Sequence, residues 1–231
     1  MENIKHQIQS IVNIYKSGDL TQAEVLSKKL VIDNPKIVFL YNLLGLISVD
    51  QKKIDQALEY YEKGIKIDPN YAMIYNNMGV LYFRYKPDHN HKKAENFYKK
   101  SISLDKKLSE PQNNLGNLYK ELNKFEEAMH CYKKAIDNNP NFSYAHYNLG
   151  NTYVTLGKFK SAKKHYKKSI KLLPHFFNAH RSLSRITKYT NNDKHFIELK
   201  KMYTEIDVNN IENGIDLAFA LGKAYEDIKD F

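Results

Sequence analysis

The sequence predicts an all-α fold built from repeated helical hairpins. Three residue types recur along the 231-residue chain with a shared period. Glycines recur at intervals of 34, 37 and 34 residues, alanines at 37, 34 and 34, and prolines in two pairs whose members are 34 apart. Such a period is typical of repeat architectures. The positions are Gly45, Gly79, Gly116 and Gly150; Ala57, Ala94, Ala128 and Ala162; Pro35 and Pro69; Pro140 and Pro174.

Within each period the apolar and small residues have helical spacing. One face of a first helix is indicated by residues at i, i+3, i+4 and i+7, as at Tyr75, Met78, Gly79 and Tyr82. One face of a second helix follows at i, i+4 and i+7, as at Ala94, Tyr98 and Ser101. The small residues let the two backbones approach closely, and each proline ends its second helix because it cannot continue the hydrogen-bond pattern.

The longer interval indicates a three-residue insertion, because 15 residues separate Gly79 from Ala94 where the other repeats have 12. The segment 85–90 contains proline and aspartate and is predicted to be a loop. Asp88, His89 and His91 of this region supply too few ligands for a metal, so we predict no metal site.

Composition and motifs exclude several classes of protein. We find neither a signal peptide nor a stretch near the roughly 18 apolar residues of a membrane span. The single cysteine, Cys131, cannot form an internal disulfide and fits a reducing compartment, so we expect a cytoplasmic protein. Phosphate-binding loops, nucleophile elbows and zinc-protease motifs are also missing from the sequence, and we predict neither catalysis nor a cofactor.

The formal net charge of +10 comes almost entirely from lysine. The second-helix lysine pairs 99–100, 133–134 and 167–168 are predicted to point outward. We favour a solubilising face over nucleic-acid binding, because arginine is scarce and bidentate arginine dominates base recognition.

The repeat resembles the tetratricopeptide repeat, whose pattern is aromatic-x2-Leu-Gly-x2-Tyr, then Ala-x3-aromatic, then proline. The first half is carried by Tyr41-x2-Leu44-Gly45, Tyr75-x2-Met78-Gly79-x2-Tyr82, Leu115-Gly116-x2-Tyr119 and Leu149-Gly150-x2-Tyr153. The second half is carried by Ala57-x3-Tyr61, Ala94-x3-Tyr98, Ala128-x3-Tyr132 and Ala162-x3-Tyr166. This resemblance implies a right-handed α-solenoid of stacked antiparallel hairpins, with first helices lining a concave groove.

The repeats divide the chain into a divergent N-terminal repeat, four well-matched repeats and a divergent C-terminal region. These are residues 1–37; 38–71, 72–108, 109–142 and 143–176; and 177–231. The last region ends with a first-helix pattern, Ala218-x2-Leu221-Gly222-x2-Tyr225, without its second helix. We therefore expect a piece of a longer protein whose last helix frays or self-associates. The region is also similar to the linker that joins tetratricopeptide repeats to a sulfotransferase domain in certain bacterial proteins.

Asparagine recurs just before the apolar-Gly pair of the first helix, at Asn77, Asn114 and Asn148. Asn117 and Asn151 lie one turn further along the same side. The similar repeats of the nucleocytoplasmic O-linked N-acetylglucosamine transferase hold a peptide backbone with an asparagine at this place. The resemblance implies a peptide-binding groove; the alternative is that asparagine is merely common in this chain.

Arg181, Arg185 and Lys188 lie at i, i+4 and i+7, and the repeat register places them in the same groove. They could bind an acidic segment, although the alternating pattern of chaperone-binding carboxylate clamps is not reproduced and solvated charge remains the alternative. We predict a module that binds a peptide or partner protein for a downstream domain. The alternatives are a structural or self-assembly scaffold and, third, nucleic-acid binding by the lysine face.

Overall fold

All regular secondary structure in the described residues, 2–85, 90–205 and 211–228 of a computed structural model, is α-helical. The prediction of an all-α fold is confirmed. The helices are α1 (Glu2–Lys16), α2 (Leu20–Asp33), α3 (Val38–Asp50), α4 (Ile54–Ile67), α5 (Ala72–Arg84), α6 (His91–Leu104), α7 (Ser109–Glu121), α8 (Phe125–Asn138), α9 (Ser143–Thr155), α10 (Phe159–Leu172), α11 (Phe177–Arg185), α12 (Lys194–Glu205) and α13 (Ile211–Ile228).

The chain folds as two compact units, unit 1 (Met1–Leu118) and unit 2 (Tyr119–Phe231). In unit 1, α1 packs on α2, α3 on α4 and α5 on α6. In unit 2, α9 packs on α10, and α13 packs on both α11 and α12. The repeat boundaries given above stay a prediction, and the division between the units falls inside the predicted repeat 109–142.

The turn from a first helix to a second helix uses one left-handed residue at a repeating position. Gly18, Lys52, Asn123 and Gly157 all have positive φ, between 57° and 91°. In three of these four turns, the backbone N–H of the next residue closes the turn. The N–H groups of residues 53, 124 and 158 each donate to the carbonyl oxygen five residues earlier. Glycine and asparagine tolerate this conformation best, which accounts for three of the four residues.

A close contact between glycine and tyrosine sets the distance between paired helices. Tyr98 of α6 is fully buried, and its ring lies against Gly79 of α5. A Cβ atom added at Gly79 would lie 2.6 Å from that ring, and one added at Gly150 would lie 2.7 Å from the ring of Tyr166. Gly45 meets Tyr61 in the same way. The close approach predicted from the repeat pattern is therefore present in both units.

The last helix packs on its neighbours through one face. Leu217, Ala220, Leu221 and Ala224 of α13 are buried in a cluster with Phe196, and Ser184 Oγ donates to the carbonyl of Ala220 at 2.7 Å. The inner face of α13 is thus docked on α11 and α12, and the expectation that this helix frays or self-associates stays a prediction. Residues 86–89 of the predicted loop 85–90, which include Asp88 and His89, lie outside the described residues.

Two candidate features can be checked over the part of the chain that the structure describes. No helix there is long and apolar enough to cross a membrane. That part also holds no group of three or more histidine, cysteine, aspartate or glutamate residues that could bind a metal ion.

The glycine–tyrosine contact gives a matched pair of substitutions. We expect Gly79→Ala to lower the free energy of unfolding by about 1–2 kcal/mol, because overpacking outweighs the gain of about 1 kcal/mol from removing a helical glycine. Gly222→Ala should instead raise it by up to about 1 kcal/mol, since the described residues place no neighbouring heavy atom within 4 Å of the added carbon. Urea unfolding followed by circular dichroism measures both, and equal stabilisation by the two changes would contradict the contact.

Candidate functional site

Four asparagine side chains join three successive first helices of unit 1. Asn114 Nδ2 of α7 donates to Asn76 Oδ1 of α5 at 2.9 Å, and Asn76 Nδ2 donates to Asn77 Oδ1 at 3.1 Å. Asn77 Nδ2 then donates to Asn42 Oδ1 of α3 at 2.8 Å. We call these four residues the asparagine chain. Its hydrogen bonds all run in one direction and hold the three helices in a fixed register.

The members of the asparagine chain differ in exposure. Asn42 and Asn76 are buried, with 5% and 4% of their surface exposed, whereas Asn77 and Asn114 are half-buried. An amide nitrogen carries two hydrogens, so the bond of Asn77 or Asn114 to the neighbouring helix uses only one of them. The second N–H of each can serve a ligand on the half-exposed side.

Sequence reasoning selected Asn77 and Asn114 but missed their partners Asn42 and Asn76. The available signal was the doubled asparagine at 76–77 and 113–114. Adjacent helical residues point about 100° apart, so one amide of such a pair can reach the preceding helix while the other reaches the following one.

The remaining predicted asparagines occupy different surroundings. Asn151 Oδ1 accepts a hydrogen bond of 2.7 Å from the hydroxyl of Tyr166, which ties α9 to α10 within one hairpin. Asn117 is half-buried on α7, and Asn148 is half-buried on α9 in unit 2. The structure therefore brings Asn77 and Asn114 together in unit 1 and gives Asn151 a structural bond.

The predicted cationic residues line two adjoining grooves of unit 2, Arg181 and Arg185 one of them and Arg185 and Lys188 the other. Arg181 Nη1 donates to Asp216 Oδ1 of α13 at 2.8 Å, and its guanidinium lies 4.7 Å from the ring centre of Phe219. Arg185 and Lys188, in contrast, line a groove of ≈ 630 Å³ between α10, the end of α11 and α13. The charged side chains of this basic groove are Lys160, Lys163, Arg185, Lys188, Lys223 and Asp227.

Histidines form two hydrogen-bonded pairs in unit 2. His180 Nδ1 lies 2.9 Å from His195 Nε2, and His180 Nε2 lies 2.8 Å from the carbonyl oxygen of Pro174. His195 Nδ1 lies 2.6 Å from the Tyr189 hydroxyl. When both rings are neutral, each of these contacts can be a hydrogen bond with one hydrogen. Tyr189 then donates to His195, His195 donates to His180, and His180 donates to the carbonyl oxygen.

A second histidine pair lies one repeat earlier, joined through different ring nitrogens. His146 Nδ1 lies 3.1 Å from His165 Nδ1, and His146 Nε2 lies 3.3 Å from the carbonyl oxygen of Pro140. Sequence reasoning missed both pairs, although His146 and His180 are 34 residues apart, like Pro140 and Pro174.

Burial and the surrounding charges keep both pairs neutral. Burial, together with the nearby His146, Lys164 and Lys133, lowers the pKa of His165 to about 4. Burial, together with His180 and Lys167, lowers the pKa of His195 to about 3. The pKa of His146 and that of His180 are also lowered, mainly by burial.

The lysine pairs of the second helices mostly face solvent, as predicted. Lys99, Lys100, Lys133, Lys134 and Lys167 are exposed. Lys168 is half-buried and adds to the positive charge near His146. Lys99 also forms an ion pair of 2.6 Å with Glu95 on its own helix.

Comparisons with known proteins identify the repeat. A TPR repeat model matches residues 45–85 and 116–157, and a tetratricopeptide repeat model matches 143–176. The chain contains tetratricopeptide repeats. These repeats give the chain the architecture of a protein-interaction scaffold.

Two curated relatives are both called uncharacterized protein ycf37. The one from Porphyra purpurea is 35% identical over 106 residues, which cover 43% of this chain and 56% of the relative. The one from Pyropia yezoensis is 35% identical over 88 residues, which cover 38% of this chain and 48% of the relative. The chain therefore spans about half the length of these relatives.

Solved structures show the same fold at low sequence identity. PilW, a type IV pilus biogenesis factor, has a TM-score of 0.72 and 18% identity, covering 96% of this chain and 99% of its own. PilF of Pseudomonas aeruginosa has a TM-score of 0.71 and 18% identity, covering 89% and 94%. A thermophilic TPR protein of Thermus thermophilus has a TM-score of 0.67 and 16% identity, covering 79% and 98%. None of these findings supports the similarity to sulfotransferase linkers.

The histidine pairs predict that stability falls in mild acid. Above the ordinary histidine pKa of 6.5 both the folded and the unfolded chain are neutral at these rings, and stability is full. As the pH falls from 6.5 toward about 4, the unfolded chain binds protons first, so stability is lost. We expect a loss on the order of 2–3 kcal/mol, measured by urea unfolding across this range.

Replacing His165 and His195 together with glutamine should flatten this pH dependence, because glutamine does not titrate. His6→Gln is the matched control, since His6 is exposed on α1, and it should leave the dependence unchanged. A double variant with the same pH slope as the wild-type chain would contradict the assignment.

Proposed function

We propose that the chain binds an extended peptide or a partner protein along the first-helix side of unit 1, through the asparagine chain. The observation that carries this proposal is the continuous row of amides from Asn114 to Asn42, of which Asn77 and Asn114 are half-exposed. An amide side chain offers both a donor and an acceptor, so it can pair with a peptide backbone whatever the peptide sequence.

A purely structural scaffold is the alternative, in which the asparagine chain only fixes the helix register. Two features favour a ligand. Buried amides are stabilising only when they are fully hydrogen-bonded, and apolar residues would fix the same register without that requirement. Moreover, Asn77 and Asn114 keep one N–H beyond their bond to the neighbouring helix, on the half-exposed side.

The basic groove of unit 2 supports a preference for acidic partners. Five of its six charged side chains are cationic, and Arg185 and Lys188 are exposed. Attraction between exposed charges is screened by salt, so binding there should weaken as ionic strength rises. In a longer protein such a partner could be the substrate of a downstream catalytic domain, for example the sulfotransferase whose linker the C-terminal region resembles.

The probes for this proposal are short peptides. They are selected for binding to the wild-type chain from a random phage-displayed library. Changing Asn77 and Asn114 together to alanine should weaken binding of the selected peptides by about tenfold or more, because two hydrogen bonds to the ligand are lost. Fluorescence anisotropy with labelled peptide measures the dissociation constants.

Asn42→Ala is the matched control, since it removes the interhelical bond of Asn77 while leaving both half-exposed amides in place. It should reduce stability and change peptide affinity little. Unchanged affinity in the Asn77/Asn114 double variant would reject the groove and leave the scaffold alternative.

A further inference from the structure

The basic groove holds more positive charge than its surroundings neutralise. Of its six charged side chains, Lys223 and Asp227 already form an ion pair on α13, and Asp227 also accepts a hydrogen bond from the backbone N–H of Tyr189. The other four are cations, and no carboxylate of the described residues lies within ion-pair distance of them. These unpaired cations are Lys160, Lys163, Arg185 and Lys188.

The four unpaired cations come from two neighbouring parts of unit 2. Lys160 and Lys163 are three residues apart on α10, which puts them on the same side of that helix. Arg185 is the last residue of α11, and Lys188 lies in the segment that follows it. Like charges that line one groove repel each other, so this arrangement lowers the stability of unit 2 unless an anion occupies the groove.

The repeat itself does not require these charges. Arg185 follows Leu183 and Ser184, which stand where the earlier repeats have the apolar-Gly pair. At the position of Arg185 the four earlier first helices carry Leu46, Val80, Asn117 and Asn151. At the position of Lys163 the earlier second helices carry Leu58, Glu95 and Met129. The cations therefore serve something other than the packing that the repeats share.

Charge and size favour a phosphate group over a carboxylate as the anion. A phosphate monoester carries a charge of about −1.5 to −2 at pH 7 and offers three acceptor oxygens, whereas a carboxylate carries a single charge and offers two oxygens. Four cations around one groove of ≈ 630 Å³ match the phosphate better. Arginine can also donate to two phosphate oxygens at once, with lysine acting as a point charge beside it.

An apolar patch beside the cations indicates that the phosphate belongs to a protein. Phe159 is 51% exposed and Ile186 is half-buried, and both line the basic groove. An apolar side chain next to a phosphorylated residue can cover this patch, which inorganic phosphate cannot do. A nucleic acid carries a phosphate at every nucleotide and gains affinity from many separate contacts, whereas these four cations line one groove.

We propose that the basic groove binds a phosphorylated serine or threonine side chain of a partner protein. The four unpaired cations hold the phosphate oxygens, and an apolar residue next to the phosphorylated one covers Phe159. This inference rests on the preference for acidic partners proposed above and gives the partner a chemical class. It does not depend on the asparagine chain.

Three labelled peptides that differ at one residue provide the probe. Each consists of glycine and alanine with phosphoserine, glutamate or serine at its centre and leucine directly after it. Fluorescence anisotropy with the full chain measures the dissociation constants. We expect saturable binding of the phosphoserine peptide, binding of the glutamate peptide that is weaker by about tenfold or more, and the weakest binding for the serine peptide. Added salt should weaken the binding of the phosphoserine peptide.

Single substitutions in the chain test the position. Arg185→Gln and Lys163→Gln should each weaken binding of the phosphoserine peptide by about tenfold, because each removes a charge-assisted hydrogen bond. Lys134→Gln is the matched control, since it removes the same charge from an exposed lysine of α8 and should leave the affinity unchanged. Phe159→Ala should weaken binding of the leucine-containing phosphoserine peptide but not of one with glycine in place of leucine. Circular dichroism checks that each variant keeps its helices.

Four results would overturn the proposal. The first is no saturable binding of the phosphoserine peptide. The second is equal affinity for the phosphoserine and glutamate peptides, which would leave only the general preference for acidic partners. The third is an effect of Lys134→Gln as large as that of Arg185→Gln. The fourth is a single-stranded oligonucleotide that binds more tightly than the phosphoserine peptide and loses affinity in Arg185→Gln, because the ligand would then be a nucleic acid.

The Asn77/Asn114 double alanine variant separates this site from the one proposed in unit 1. It should bind the phosphoserine peptide normally while losing the library-selected peptides. Arg185→Gln should show the opposite pattern for library-selected peptides that contain no acidic residue. A failure of either proposal is therefore distinguishable from a failure of the other.

Discussion

The close approach of two helices at a glycine is the constraint on which the rest of the structure depends. Where Tyr98 lies on Gly79, the tyrosine ring of α6 comes nearer to the α5 backbone than an unstrained Cβ atom at position 79 would permit. The contact fixes which side of the first helix faces its partner. The residues just before the glycine then turn away from the second helix, toward the neighbouring first helices. The asparagine chain lies there because the glycine–tyrosine contact occupies the other side.

The two units have the same kind of helical repeat but differ in their polar side-chain contacts. Three residues before the glycine, α3 and α5 carry Asn42 and Asn76, whereas α9 carries Tyr147 at the corresponding place. In unit 2 the histidine contacts lie within hairpins, where His146 meets His165 and His180 meets His195, and ionic and backbone contacts such as Arg181 with Asp216 join α11 to α13. A uniform repeat therefore supports an amide-lined face in one unit and a neutral, acid-sensitive interior in the other.

The fold was predictable because the residues that recur with the repeat period, such as Gly79 and Ala94, are small residues that the packing of paired helices requires. The site was predictable only in part. Asn77 could be placed on the correct side, but its partner Asn42 lies 35 residues away and depends on how two first helices are rotated against each other. The same limit hid the ion pair between Arg181 and Asp216, which consumes a charge that the pattern alone assigned to a ligand.

Helix α13 is connected to the histidine-containing interior of unit 2 by a short series of hydrogen bonds. Asp227 of α13 accepts a hydrogen bond of 3.1 Å from the backbone N–H of Tyr189, and the Tyr189 hydroxyl bonds to His195. Because α13 holds Tyr189 through this bond, the packing of α13 and the neutrality of the histidine pair stabilise the same folded state.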